Sequence, residues 1–509
     1  MTSKSKKKSI WVIGMGSRGE AQPLSALCYG LMKTEKYSVT LLCNIDHKEL
    51  ADDLGIPFID IMWNFHDFIS GKTDSGSAYK DALGRNDTFN VIKEQRAHNE
   101  RYFGPYVEKF DKLLQKNEAE NTRPDLILYS LGMYALAAYA NIRYSIPLLP
   151  TNFQVPVLKD KKGPPPGLGL PILPCGCNTI WSYVLTYVAY SILFKYDGKL
   201  CGKYLGLDPI RFMGYKNLRK ELIAHPSVKH PYLIGASPLI ASSLYSHLEM
   251  PEQIHMTGPW VIPETVQIAG KSEEDSFGGK ETFNKLLQFF SFDDEQKKPV
   301  YIGWGSMISE SSTFMTQLAV RALKHANQKG IVLGGCASLS PDLLLSDNET
   351  NDDYNYAQQN ILFVDKAPHE WLFPKCSCIV HHGGAGTTHA SLRSGVPTIV
   401  TPVIGDQPFH GEWVSSLGAG LHTAILPKVT VEELGNAIIK CTTMDNKNQE
   451  NSFQVRAREV SHQIRKENGV ENAEKVISDL FDKIEKDPKT WGSTGLFIGR
   501  KNREKVSFH

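Results

Sequence analysis

Residues Val380 to Gly418, VHHGGAGTTHASLRSGVPTIVTPVIGDQPFHGEWVSSLG, hold the densest chemistry in the chain. The apolar run Cys378-Ile379-Val380 reads as a strand that feeds a glycine turn and then a helix over Thr387 to Ser394. Such a junction offers backbone N–H groups and the positive end of a helix dipole to an anion, most often a phosphate. Two histidines, His381 and His382, stand in the turn. The next apolar run, Thr398 to Ile404, delivers Asp406-Gln407 to the carboxyl end of the following strand, the edge where ligands of open α/β sheets collect. A phosphate cradle flanked by a carboxylate and an amide suits a ligand that is half diphosphate and half polyol, a nucleotide sugar.

A second glycine loop lies near the N-terminus. Gly14-Met15-Gly16-Ser17-Arg18-Gly19 fits G-x-G-x-x-G, follows a strand and precedes a helical stretch, with Asp46 ending the next strand. That is the outline of a dinucleotide fingerprint and keeps an NAD-linked oxidoreductase open, although Gly19 to Asp46 exceeds the usual spacing of about 20 residues. The residue after the fingerprint is a carboxylate, Glu20.

Apolar strand-like runs alternate with helical patterns twice over, the mark of α/β units with parallel sheets. One set includes Ile10 to Gly14, Val39 to Cys43, Leu126 to Tyr129 and Pro147 to Pro150. The other begins at Val300-Tyr301-Ile302-Gly303 and runs through Gly330 to Gly334, Ile361 to Val364, Cys378 to His381 and Thr398 to Pro402. Residues 263–298 are polar and glycine-bearing (KSEEDSFGGKE) and read as a linker, and Ser346 to Gln359 reads as an exposed acidic loop. The chain is therefore expected to divide into an N-terminal domain over 1–262, the linker, a C-terminal nucleotide-sugar domain over 299–465, and a final piece, 466–509, that ends in a basic tail.

At 509 residues the chain exceeds what one core organises, which agrees with two domains. Lys+Arg 56 against Asp+Glu 55 argues against nucleic acid as a partner. Nine scattered cysteines, with C-x-C rather than C-x-x-C at 175/177 and 376/378, favour neither a zinc site nor a disulfide framework. Together with an N-terminal apolar stretch too short for a signal peptide, this predicts a cytoplasmic protein. The uncharged segment Asn178 to Phe194 is shorter than the roughly 20 residues of a spanning helix. It is expected to wall an apolar pocket or to touch a membrane surface, as is the basic N-terminus MTSKSKKK.

HHGGAGTT at His381 to Thr388, L-R-x-G-x-P at Leu392 to Pro397 and G-D-Q at Gly405 to Gln407 stand in the order of the donor-binding signature of family 1 GT-B glycosyltransferases. Within that family the chain most resembles sterol glucosyltransferases and their antibiotic-glycosylating relatives. Gly14 to Pro23 (GMGSRGEAQP) resembles their first loop, G-[ST]-R-G-D-x-Q-P, and accounts for Arg18, Gln22 and Pro23, which the NAD reading does not. Gly303-Trp304-Gly305-Ser306-Met307 is similar to the family's G-F-G-S-M loop, and Ala367 to Pro374 to its P-H-D-W-L-F-P segment.

The resemblance implies a GT-B fold, two Rossmann-like domains facing each other across a cleft, with the closing helix returning to the first. It implies that Ser306, His382, Gly384, Ala385, Gly386 and Thr387 meet the donor diphosphate. Ala367, Pro368 and His369 would line the uracil and ribose side, and Asp406 and Gln407 the hexose. Trp371 and Phe373 read as core rather than as base-stacking groups. The family's aspartate, the base that takes the acceptor proton, is Glu20 here; the added methylene leaves open an impaired homologue that binds UDP-sugar without turnover. His66, Asp67 and His98 are reserve bases. The implied reaction is inverting transfer of a hexose, best matched by glucose, from a UDP-sugar to a sterol or other lipophilic alcohol. No cofactor is implied, and no D-x-D triplet suggests a metal.

Overall fold

The computed structural model describes residues 7–85, 87–228, 230–263, 265–266, 277, 279–291, 298–345, 352–444 and 449–488. The basic extreme N-terminus, half of the 263–298 stretch and the basic tail beyond 488 lie outside them.

Two sheets organise the chain, and every strand pair in both is parallel. The first holds β1 (Lys8–Ile13), β2 (Tyr37–Asn44), β3 (Phe58–Met62), β4 (Leu126–Ser130), β5 (Leu148–Asn152), β6 (Tyr232–Ile234) and β7 (Ile254–Met256), in the spatial order 3-2-1-4-5-6-7. The second holds β8 (Val300–Gly303), β9 (Gly330–Leu333), β10 (Ile361–Val364), β11 (Cys378–His381), β12 (Thr398–Val400) and β13 (Gly420–His422), in the order 10-9-8-11-12-13. Strands covered by helices on both faces are buried throughout, which is why β4, β8, β9 and β11 read as unbroken apolar runs. In each sheet the winding reverses once, between β1 and β4 and between β8 and β11. A doubly wound sheet gathers its ligands outside the strand ends at that reversal.

The closing helix Gly469–Lys486 buries Ala473, Ile477, Leu480 and Phe481 in one cluster with Leu27, Tyr37 and Trp260 of the first domain. Within the stretch read as a linker, helix Lys280–Ser291 packs Leu286 against Phe277, Tyr301 and Ile331 of the second domain. The acidic segment differs from its expected loop. Helix Asp352–Asn360 forms there because Asp353 meets Arg321 at 2.6 Å and Lys324 at 2.9 Å on helix Ser312–His325. The uncharged segment 178–194 is helical but turns wide at Tyr190–Phe194, and among the described residues no helix is long and apolar enough to cross a membrane.

Ile477 is fully buried against the first domain. Ile477→Ala is expected to lower unfolding stability by about 2–5 kcal/mol, read by urea denaturation; a loss under 1 kcal/mol would show that the closing helix does not help hold that domain.

Candidate functional site

The second domain's half of the site grows from the turn after β11. Gly383 takes φ +92°, where a side chain would be strained. Its N–H donates to His381 Nδ1 at 2.9 Å, and its carbonyl accepts from His410 Nδ1 at 2.7 Å. His381 therefore carries its proton on Nε2, which faces Ser391 Oγ at 3.2 Å. Two buried histidines thus clamp one glycine, and the turn emerges with Gly384 as the N-cap of helix Ala385–Ser394. Glycine has no side chain to cap the helix, so the first N–H groups stay open to a ligand.

His382 points its ring between two backbones. A Cβ on Gly305 would stand 3.1 Å from His382 Cε1, and one on Gly384 only 2.6 Å from Nε2. Its Nδ1 is buried without a partner. Burial, with His410 nearby, pushes the imidazole down to about 4, so it is neutral at physiological pH. Ser306 sits half-buried in the adjoining turn after β8, and Trp304 is structural, its indole N–H bonded to Thr401 Oγ1 at 2.5 Å. The loops after the two strands at the sheet's reversal thus lie together.

Asp406 stands at the N-cap position of helix Gln407–Ser416, at the end of the loop after β12, and its side chain makes no capping bond. Gln407 is buried and its Oε1 accepts from Val403 N–H at 2.7 Å and Ile404 N–H at 3.0 Å. That leaves only its amide nitrogen for a ligand. Ala367 and Pro368 precede His369, whose ring stacks on Phe373 with centroids 4.4 Å apart. Burial first, then the charges of Arg18 and His382, hold His369 at about 3. Trp371 packs edge-on against Phe277 and Phe290, and Phe373 is fully buried, so both belong to the core.

Across the cleft, helix Arg18–Lys33 opens with Glu20 in its first turn. Oε1 accepts the Met15 N–H at 3.2 Å, and the carboxylate folds back over the glycine loop. A Cβ on Gly16 would come within 3.1 Å of Glu20 Oε2. The loop is fixed from β2: Gly16 N–H donates to Asn44 Oδ1 at 2.9 Å, and Gly16 carbonyl lies 2.9 Å from His47 Nε2. Burial raises Glu20 to about 7 against the opposing pull of Ser130 and the Met15 N–H, and Asp406 adds to the rise from the other domain. The two loops meet closely enough that a Cβ on Gly386 would lie 3.6 Å from the Gly19 carbonyl.

The dinucleotide reading fails on the same geometry. The space over the glycines is taken by the Glu20 carboxylate, which would repel a pyrophosphate. Asp46 spends both oxygens on the Phe65 and His66 N–H groups, at 2.7 and 2.8 Å, instead of waiting for a ribose. The reserve bases are placed elsewhere: His98 is buried among Trp63, Phe68 and Tyr102 and bonded to Ser75, while Asp67 pairs with Lys72 beside the exposed His66. No motif flags His410, Asn44, His47 or Ser130, which shape the site from positions distant in sequence. Among the described residues no group of three or more His, Cys, Asp or Glu could hold a metal ion.

Residues 331–472 match the family model described as Erythromycin biosynthesis protein CIII-like, C-terminal domain. The chain is 26% identical over 475 residues to the sterol 3-beta-glucosyltransferase of Debaryomyces hansenii, covering 92% of this chain and 26% of that protein. It is 27% identical over 485 residues to the enzyme of the same name from Saccharomyces cerevisiae, covering 94% and 35%. The chain thus spans about a quarter to a third of the length of these curated relatives. A solved structure, the glycotransferase of kitacinnamycin, superposes with a TM-score of 0.55 at 14% identity, over 93% of this chain and 99% of that one. The fold is the two-domain GT-B architecture.

Gly384 has φ −61° and ψ 143°, which alanine adopts freely, so Gly384→Ala should fold normally while its methyl displaces His382. The expected result is an unchanged melting temperature with at least tenfold weaker UDP binding by calorimetry. Unaltered UDP affinity would remove His382 from the donor site.

Proposed function

We propose that this chain is an inverting, metal-independent glycosyltransferase that moves a hexose, glucose by analogy with its relatives, from a UDP-sugar to the hydroxyl of a sterol or similar lipophilic alcohol. One observation carries the reading. The unpartnered Nδ1 of His382 and the uncapped N-terminus of helix Ala385–Ser394 belong to a loop that approaches, at Gly386 and Gly19, the first-domain loop bearing a carboxylate whose proton affinity is tuned near neutrality.

In this reading the diphosphate rests on Ser306, the N–H groups at Gly384, Ala385, Gly386 and Thr387, and His382. The uridine runs past Ala367, Pro368 and His369. Asp406 and the free amide nitrogen of Gln407 hold the hexose hydroxyls. The acceptor oxygen attacks the anomeric carbon from the side opposite UDP, its proton passes to Glu20, and the bond from that carbon to the diphosphate oxygen breaks. Charge then grows on the departing diphosphate, where the helix dipole and His382 meet it; preorganised donors of this kind each contribute about 10²–10³ in rate. A base works best with a pKa near the operating pH, and burial brings Glu20 there.

The acceptor arrives, in the same reading, from a lipid surface. Helix Ile180–Ala189 is inverted: Ser182 and Thr186 are buried while Ile180, Tyr183, Val184, Tyr187 and Val188 are exposed, Tyr187 to 58%. An apolar stripe of this kind lies in a membrane interface. Tyr187→Glu is expected to reduce co-flotation with sterol-containing vesicles severalfold and to slow transfer to vesicle-borne sterol, leaving transfer to a detergent-dispersed acceptor intact. Equal flotation of both proteins would end the membrane reading.

Glu20 must be ionised to accept a proton, so kcat/KM should rise with pH through about 7 and be lost at lower pH. Glu20→Gln should reduce turnover by about 10²–10⁴ with UDP affinity kept. Because the folded carboxyl is raised from 4.5 to about 7, the native state binds the proton more tightly between those values. Wild-type stability relative to Glu20→Gln should therefore fall as pH rises across that window, and the variant should melt higher at pH 8. Undiminished transfer by the variant removes Glu20 from the base role. Wild-type protein that binds UDP yet transfers to no alcohol in a sterol panel supports the impaired-homologue reading instead.

A further inference from the structure

Beside the glycine loop lies a cavity of about 190 Å³, walled on one side by Met15, Leu131 and Gly132 and on the other by the wide turn at Tyr190–Phe194. Met15 connects it to the candidate base, since its N–H bonds Glu20. Such a chamber for a wholly apolar body needs only apolar walls. Helix Thr88–Ala119 instead presents Gln95, Arg96 and Asn99 to it on one face, and Asp197 comes from the opposite wall.

The hydrogen bonding of these groups is incomplete in a specific way. Arg96 spends Nη2 on the carbonyls of Ile192, at 2.7 Å, and Ser191, at 3.4 Å, which the wide turn leaves open. Its guanidinium lies over the Tyr196 ring, and the Tyr196 hydroxyl donates back to the Arg96 carbonyl at 2.8 Å. The side chain is thereby locked, yet its Nε–H is buried without an acceptor. Asn99 is only 9% exposed, and its Oδ1 is buried without a donor. A donor and an acceptor fixed in one cavity wall, each costing about 1–3 kcal/mol while unmet, are complementary to a group that both accepts and donates.

We propose that this cavity is a specificity subsite for a second hydroxyl of the acceptor, so that the preferred substrate is a rigid lipophilic diol rather than a mono-alcohol. The second hydroxyl accepts from Arg96 Nε–H and donates to Asn99 Oδ1, while the first meets Glu20. A ketone could not donate to Asn99, and a carboxylate would both lack the proton and oppose Asp197. Burial raises the Asp197 carboxyl to about 7, with Arg96 pulling the other way, so it also disfavours a further anion. The inference rests on the transferase reading for the location of the acceptor, but its recognition chemistry can be measured apart from turnover.

The test uses the full chain with UDP present and steroid pairs of one skeleton: a mono-ol attacked at its first ring, and diols whose second hydroxyl stands on the last ring or at the end of the side chain. Calorimetry should show at least one diol binding tenfold or more tightly than its mono-ol, and kcat/KM with UDP-glucose should follow the same order. Asn99→Leu, close to isosteric, should lower diol affinity to the mono-ol level, with melting temperature as a check on folding. Equal binding of diol and mono-ol by wild type overturns the subsite, as does binding of neither, or a preference that survives Asn99→Leu. Preferential diol binding with no transfer sustains the subsite and sinks the transferase reading, whereas transfer without preference does the reverse.

Discussion

The clamp on Gly383 is the constraint from which the rest of the site follows. Its N–H is met by the His381 ring and its carbonyl by the His410 ring, on opposite sides of the turn. An imidazolium at His381 would have no lone pair for the Gly383 N–H, and burial holds that ring well below its ordinary pKa, so the acceptor persists at all physiological pH values. With both backbone groups fixed, the chain has one exit from β11, and it leads directly into a helix whose first N–H groups have no cap. The direction of the dipole, the placement of His382 and the approach to the first domain are all set by that one residue.

The same helix is anchored along its whole length, which makes its open end a fixed electrostatic feature. His389 donates from Nδ1 to the Ala385 carbonyl at 2.8 Å and accepts the Ser237 N–H of the first domain at 3.2 Å. Ser237 in turn donates to Glu467 Oε1 at 2.6 Å, just before the closing helix. At the far end, Ser461 Oγ and Arg465 Nε both bond the Arg393 carbonyl, at 2.6 and 2.7 Å. Donors held by structure rather than recruited by a ligand need no reorganisation when charge develops, which is where electrostatic stabilisation gains most. The two domains therefore share one helix, and the site between them does not depend on either loop alone.

What was legible in the sequence is what is local. A strand, a glycine turn and a helix occupy some fifteen consecutive residues, so VHHGGAGTTHASLRS carries its own geometry, and the second sheet of the GT-B fold could be read from it. Glu20 was legible because it follows a loop of the same kind. His410 was not: it lies 27 residues from Gly383, on the helix after a different strand, and only the order 8-11-12 of the sheet brings it back. Ser130 beside Glu20 and the pair Asn44 and His47 beneath Gly16 depend likewise on β4 and β2 flanking β1. The strands β6 and β7, of three residues each, are too short to show a period. The acidic stretch before β10 misled because its charges look solvated until Arg321 and Lys324 are folded against them.

Glu20 shows how such a site balances position against reactivity. An aspartate at the first turn of this helix would end one carbon sooner; the glutamate has length enough to curl back, lodge over Gly14 and Gly16, and take the Met15 N–H. That bond orients the carboxylate but also stabilises its charged form, which on its own would make a weak base. Burial acts in the opposite sense and is the larger effect, with the Asp406 charge across the cleft adding to it. Removing the Met15 bond would raise basicity further and lose the aim; removing the burial would keep the aim and lose the basicity. Met15 also lines the cavity beside the loop, so the residue whose N–H orients the Glu20 carboxylate is also part of that cavity's wall.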